Sequence, residues 1–212
     1  MSEEDEKPDL RCYEGGPLAT NGYVFRAPGG WVAVDAPLGM AEWSESEDVD
    51  PQLLILTHQH FDHVMGAAGM VERFGCPIWA FAAYERGLTL EDFFQGLEGT
   101  GFEIASYNVD RTLEGEIGQS LDVLGSSASL MHIPGHSPDS ICIALEGWDL
   151  VFGGDVLFES GVGRTDFPGG DTGLLLDGIR EKLFSLNDST AVLPGHGPPT
   201  TIGRERRENP FL

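Results

Sequence analysis

Apolar residues along the chain fall into short blocks separated by glycine, proline and polar clusters, and the spacing inside each block predicts its structure. Asn21–Arg26 (NGYVFR) and Trp31–Asp35 (WVAVD) flank Pro28-Gly29-Gly30 and read as a β-hairpin. Leu53–Leu56 is a continuous apolar run, the pattern of a strand buried on both faces. From Asp62 to Phe74 the spacing becomes helical, with Val64, Ala67, Ala68, Val71 and Phe74 on one face, and Gly75 and Pro77 stop it. Ile78–Phe81 is another strand. Leu88–Leu97 sets Leu90, Phe93, Phe94 and Leu97 on one stripe, which predicts a short amphipathic helix with a packed face rather than a substrate lid. Further strands are expected at Ser120–Leu124, Ser129–Ile133, Ser140–Leu145, Leu150–Phe152 and Thr190–Leu193. A helix is expected over Gly173–Phe184 with Leu175, Leu176, Ile179 and Leu183 inward. Strands in runs with helices at the crossovers point to a mixed α/β (α+β) class with two packed sheets and helices outside, rather than one doubly wound sheet.

Composition narrows the function. The 212 residues suit one domain, 10–212, and 41% hydrophobic against 22% charged residues is enough to build a core. Asp and Glu number 35 against 12 Lys and Arg, a net charge of −23, the wrong sign for binding nucleic acid by phosphate neutralisation or for an anionic membrane surface. Cys12, Cys76 and Cys142 are odd in number and form no C-x-x-C pair, so they read as free thiols in a reducing compartment. Met1–Asp9 (MSEEDEKPD) has no basic or apolar signal-peptide region and reads as a frayed acidic tail. With no apolar run of membrane-spanning length, the expected location is the cytoplasm.

Candidate chemistry gathers just after the apolar strands. Thr57-His58-Gln59-His60-Phe61-Asp62-His63 follows Leu53–Leu56. Residues two apart do not share a helix face, but in an extended turn His58 and His60 point the same way. Asp62 and His63 then open a helix, where an acidic residue suits the dipole. Three more loops each carry one ligand-capable residue flanked by glycine or proline: Pro134-Gly135-His136, Gly153-Gly154-Asp155 and Pro194-Gly195-His196. Imidazole and carboxylate donors suit Zn, Fe or Mn. The sixth histidine, His132, has no such context and is expected to be packed or hydrogen-bonded.

T-H-x-H-x-D-H followed in order by P-G-H, G-G-D and P-G-H resembles the metallo-β-lactamase-fold hydrolases, and among them the glyoxalase II (hydroxyacylglutathione hydrolase) branch. Gly161–Asp171 (GVGRTDFPGGD) and Arg204–Leu212 (RERRENPFL) resemble its short, single-domain members. The resemblance implies an αββα four-layer sandwich with two divalent metal ions at one edge, zinc first, with iron or manganese as alternatives. It implies that His58, His60 and His136 hold one metal, Asp62, His63 and His196 the other, and that Asp155 bridges them. A hydroxide shared by the metals would attack a small-molecule thioester such as S-lactoylglutathione, with Asp62 orienting it. Arg164 matches a basic substrate-binding position, while Asp166 stands where the larger enzymes have a tyrosine. The structural alternative for Arg164 is a loop-bracing ion pair with Asp166. Two other activities share this pattern, an iron-dependent persulfide (sulfur) dioxygenase and another ester or lactone hydrolase. A non-catalytic scaffold is the reading from a different class, and the complete ligand set argues against it.

Overall fold

The computed structural model describes residues 9–95 and 104–212. Leu97 of the expected helix and the tail from Met1 to Asp9, Asp9 itself excepted, lie outside them. The first sheet has the order β1-β2-β3-β4-β5-β6, formed by β1 (Leu10–Gly15), β2 (Thr20–Ala27), β3 (Gly30–Val34), β4 (Pro51–Ile55), β5 (Ile78–Ala80) and β6 (Arg111–Thr112). β1, β2 and β3 pair antiparallel, with β2 and β3 joined by the expected Pro28-Gly29 turn, and β3 to β6 run parallel. The second sheet has the order β14-β13-β10-β9-β8-β7. Its strands are β7 (Ser120–Val123), β8 (Ser126–His132), β9 (Ile141–Leu145), β10 (Leu150–Gly154), β13 (Ala191–Pro194) and β14 (Thr200–Thr201). A separate small hairpin pairs β11 (Leu157–Phe158) with β12 (Gly161–Val162). The helices are α1 (Met40–Ser46), α2 (Phe61–Val64), α3 (Ala67–Phe74), α4 (Glu91–Gln95), α5 (Thr172–Glu181) and α6 (Ile202–Glu208).

The strand period of two explains the layering. Val32, Val34, Leu53 and Ile55 face inward and meet Leu130, Ile141, Ile143 and Phe152 of the second sheet. The alternating residues Ala33, Leu54 and Leu56 face outward against Met40, Ala41, Val64, Ala67 and Met70 of α1, α2 and α3. Cys142, Val151 and Val192, on the outer side of the second sheet, pack against Leu175 and Ile179 of α5 and Ile202 of α6. The continuous apolar runs are therefore strands covered on both faces, and the four layers are αββα.

Several boundaries differ from expectation. The helix expected over Asp62–Phe74 is split into α2 and α3. The Gly66 amide leaves the helical ladder to donate to Ala36 O at 2.8 Å, and a side chain there would strike the Ala36 and Pro37 carbonyls. The offset turns Met70 into the core and leaves Val71 exposed. α5 ends at Glu181, and Leu176 is only partly buried. β1, α1, β14 and α6 carry no strong period in the sequence because each is short or lies at an edge. α6 is nonetheless anchored, with Glu205 buried and accepting from the Ser160 amide and Asn209 Nδ2, both at 2.9 Å.

Candidate metal centre

β8 and β10 both pair antiparallel with β9, and β10 pairs parallel with β13, so β8, β10 and β13 run the same way. Their C-terminal ends carry His136, Asp155 and His196 to one edge of the second sheet. The ends of β3 and β4 do the same for Asp35 and the turn His58–His63 on the first. The two edges are tied by Ile141 N to Thr57 O at 2.8 Å and Asn21 N to Gly195 O at 2.7 Å.

All seven residues expected as metal ligands come together there. His58, His60 and His136 form one cluster with ligand atoms within 4.8 Å of one another; Asp62, His63 and His196 form a second; and His58, His63 and Asp155 link them. Asp155 lies 3.3 Å from His63 Nε2, 3.5 Å from His136 Nε2 and 3.4 Å from His196 Nε2. Asp62 Oδ2 is 3.1 Å from His196 Nε2. Gln59, between the first two histidines, points the other way: it donates to Asp139 Oδ2 at 3.2 Å and accepts from the Tyr107 hydroxyl at 3.0 Å. That alternation is the extended turn expected for His58 and His60.

The backs of the rings are fixed by acceptors. His63 Nδ1 donates to Asp35 Oδ2 at 2.9 Å, His136 Nδ1 to Arg164 O at 2.8 Å and His196 Nδ1 to Leu18 O at 3.2 Å. Each Nδ1 therefore holds a ring proton and each Nε2 faces the cluster, where its lone pair would be available to a bound cation. The Thr57 hydroxyl spends its one proton on Asp35 and receives His58 Nδ1 at 3.2 Å, which gives His58 the same tautomer. Nε2 of His58, His63 and His136 and Oδ1 of Asp155 are buried with no hydrogen-bond partner. Buried polar atoms are rarely left unpaired, and four of them within these linked clusters fit a metal centre.

Electrostatics divide the site. Burial lowers the pKa of His58, with His63 and His60 adding to it, and burial with His136 takes His60 down to about 3. Burial lowers His136 as well. In the other half burial acts against charge but is outweighed: Asp62, Asp155 and Asp35 hold His63 well above the ordinary value, and Asp155 and Asp62 raise His196 to about 10. Against the same burial, His63 and His196 keep Asp62 at about 2 and Asp155 well below the carboxylate range. Burial thus disfavours charge on the imidazoles of one half, while in the other the carboxylates and imidazoles favour each other's charged forms.

A cavity of about 720 Å³ opens onto the cluster, lined by His60, Asp62, His136, Asp155 and His196 together with Leu18, Phe61, Leu90, Phe94, Phe158, Val162, Arg164 and Phe167. Arg164 reaches the cavity wall and also makes the bidentate pair with Asp166, at 2.6 and 2.7 Å. Of the described residues in the stripe expected to pack on the 88–97 helix, Leu90 alone is buried. Phe94 lines the cavity and Phe93 is exposed, with α4 at the rim of the site. His132 behaves as expected, hydrogen-bonded to Pro138 O at 2.8 Å and stacked on Phe81. The sequence reading missed Asp35. The available signal was a carboxylate ending the apolar strand WVAVD, the neighbour of the strand that ends in the histidine turn.

The family model for the Metallo-beta-lactamase superfamily matches residues 15–196. The chain belongs to that superfamily. It is 39% identical over 175 residues to hydroxyacylglutathione hydrolase GloC of Haemophilus influenzae, covering 79% of each chain. Among solved structures of the superfamily fold, BLEG-1 B3 metallo-beta-lactamase superposes with a TM-score of 0.83 at 34% identity, over 96% of this chain and 99% of that one. TTHA1623 in a di-iron-bound form gives 0.79 at 33% identity, over 95% and 100%. Superfamily membership and the His/Asp cluster make this a metal-dependent hydrolase with a divalent-metal site. Among the described residues no helix is long and apolar enough to cross a membrane.

Proposed function

We propose that the protein hydrolyses the thioester of a small acyl-thiol, the substrate class that includes hydroxyacylglutathione, at a centre of two divalent metals. The observation that carries this reading is the meeting of both ligand triads at Asp155, with the orphaned atoms of His58, His63, His136 and Asp155 facing one another beside a largely apolar cavity. His58, His60 and His136 would hold one cation, Asp62, His63 and His196 the other, with Asp155 between them. Bound there, a pair of divalent cations would lower the pKa of water towards neutrality and polarise the substrate carbonyl.

The chain's own residues supply the rest. Asp62 lies on the cavity wall, fixed by the Thr20 hydroxyl at 2.7 Å, and its depressed pKa keeps it ionised, so it can accept a hydrogen bond from the attacking water and orient it. The apolar walls limit competing solvent. Water adds to the carbonyl carbon, the C–S bond breaks, and a carboxylic acid and a thiol leave. A thiolate is a good leaving group, so no separate acid is required of the protein. Similarity to GloC of Haemophilus influenzae supports the thioester assignment.

The test supplies S-lactoylglutathione and glutathione persulfide separately to protein loaded with zinc, iron or manganese. Thioester cleavage without oxygen uptake is expected. Oxygen uptake with persulfide far above the rate of thioester cleavage would reassign the protein as a sulfur dioxygenase.

A further inference from the structure

The cavity's chemistry is one-sided. Beside His60 stands an aromatic wall. Phe167 meets the His60 ring edge-on at 5.7 Å, Phe94 lies 6.0 Å from Phe167, and Phe61 lies 5.6 Å from Phe94, all centroid to centroid. The wall is held from behind by Glu91 at the start of α4, which accepts from the Tyr84 and Thr89 hydroxyls at 2.8 Å each. Among the described residues that line the cavity, the one lysine or arginine is Arg164, and Asp166 already offsets its charge. Its Nε and Nη2 meet the two Asp166 oxygens, and its guanidinium carbon sits 4.1 Å over the Phe167 ring. Between Arg86 and Arg111 the sequence holds no lysine or arginine, so that stretch brings no further cation wherever it lies.

We propose, resting on the thioester reading above, that this cavity selects acyl thioesters with an apolar arm on a carrier without carboxylates, in preference to thioesters of glutathione. An anionic carrier gains little here. The charge of Arg164 is already offset by Asp166, and the chain around it carries a net charge of −23, which disfavours a further anion. An apolar arm gains by leaving water for the aromatic wall, and a cavity of about 720 Å³ has room for one. The gain is about fourfold in affinity per methylene, the ratio given by about 0.8 kcal/mol per buried CH2.

The test has a binding arm and a turnover arm. Binding of the non-cleavable thioethers S-methyl- and S-hexyl-N-acetylcysteamine, and S-hexylglutathione, is measured by calorimetry on the metal-loaded protein. The hexyl compound should bind far more tightly than the methyl one, the glutathione compound no more tightly than its cysteamine counterpart, and Phe94→Ala should flatten the chain-length dependence. Asp166→Asn frees Arg164 and should improve S-hexylglutathione alone, by about two- to fivefold, the worth of an exposed ion pair. Tighter binding of the glutathione compound to the unaltered protein, or no dependence on chain length, overturns the proposal in favour of Arg164 as the grip on an anionic group. In the turnover arm, kcat/KM should rise from acetyl- to hexanoyl-N-acetylcysteamine and exceed that for S-lactoylglutathione; the reverse order also overturns it. If no thioester is cut while the thioether preferences stand, it is the thioester reading that fails, and the selectivity of the cavity survives.

Discussion

The turn His58–His63 on the first sheet and the three strand-end loops of the second sheet build one site by different means. The turn brings His58, His60, Asp62 and His63 from a single stretch of chain, and side chains hold them: Asp35 behind His63, Thr57 behind His58, Thr20 on Asp62. The second sheet brings His136, Asp155 and His196 one at a time, and the backbone holds them. The imidazoles of His136 and His196 lean on the carbonyls of Arg164 and Leu18, and Gly195 N donates to Gly154 O at 2.8 Å, which sets Asp155 and His196 side by side. A side-chain support can be removed by one substitution without unfolding the protein. A backbone support can be crowded but not deleted.

The largest expected effect breaks the comparison at the residue both halves share. Asp155→Ala should abolish turnover and leave the far-ultraviolet circular dichroism of the native protein; appreciable residual activity would mean that the two halves act separately. Next, a methyl group at Gly195 would fall against Asp155 Oδ1 and His63 Cε1. Gly195→Ala should therefore lower stability by about 1–3 kcal/mol, as overpacking does, in urea titrations of metal-free as well as metal-loaded protein. A cost seen only with metal bound would show that the glycine serves the ions rather than the backbone.

Asp35→Asn probes the side-chain support. It keeps one carbonyl oxygen for Thr57 N, bonded at 2.7 Å in the native protein, but removes the anion behind His63. Affinity for the metal of the Asp62, His63 and His196 set should fall about 10–100-fold in a chelator competition, and that of the His58, His60 and His136 set less, since Asp35 reaches His58 only through Thr57. Equal weakening of both would erase the distinction between the two sets.

The smallest effect lies at the rim. The Glu91 carboxyl is depressed below its ordinary value: burial opposes this, but the Thr89 hydroxyl, the Ile104 amide, the Tyr84 hydroxyl and Arg86 outweigh it. A carboxyl depressed in the folded state stabilises fully above its unfolded pKa and loses that contribution as pH falls through the folded one. Acid should therefore loosen α4 before it unfolds the sheets, read as increased amide exchange at 91–95, and Glu91→Gln should remove that acid-sensitive step.

The same contrast separates what could be read from the sequence from what could not. Strands covered on both faces announce themselves as unbroken apolar runs, because burial on two sides leaves no polar positions, and so Leu53–Leu56 and Leu150–Phe152 were legible. The histidine turn was legible because four ligand-capable residues within one stretch need no knowledge of the fold. His136, Asp155 and His196 were legible as glycine- and proline-flanked positions after strands, although their meeting was implied only through family resemblance. The split between α2 and α3 was hidden, since it depends on the Gly66 amide finding Ala36 O across the chain. Asp35 was hidden too, since a carboxylate at a strand end supports a histidine only if the two strands are parallel neighbours.

The sequence by itself determined the two-sheet class and the set of ligand-capable residues, because hydrophobic period and residue chemistry are local properties. Tertiary structure alone decided which ring nitrogens face one another and that Phe61, Phe94 and Phe167 meet in an aromatic wall beside His60. Those depend on distances between segments far apart in the chain, which no local pattern encodes.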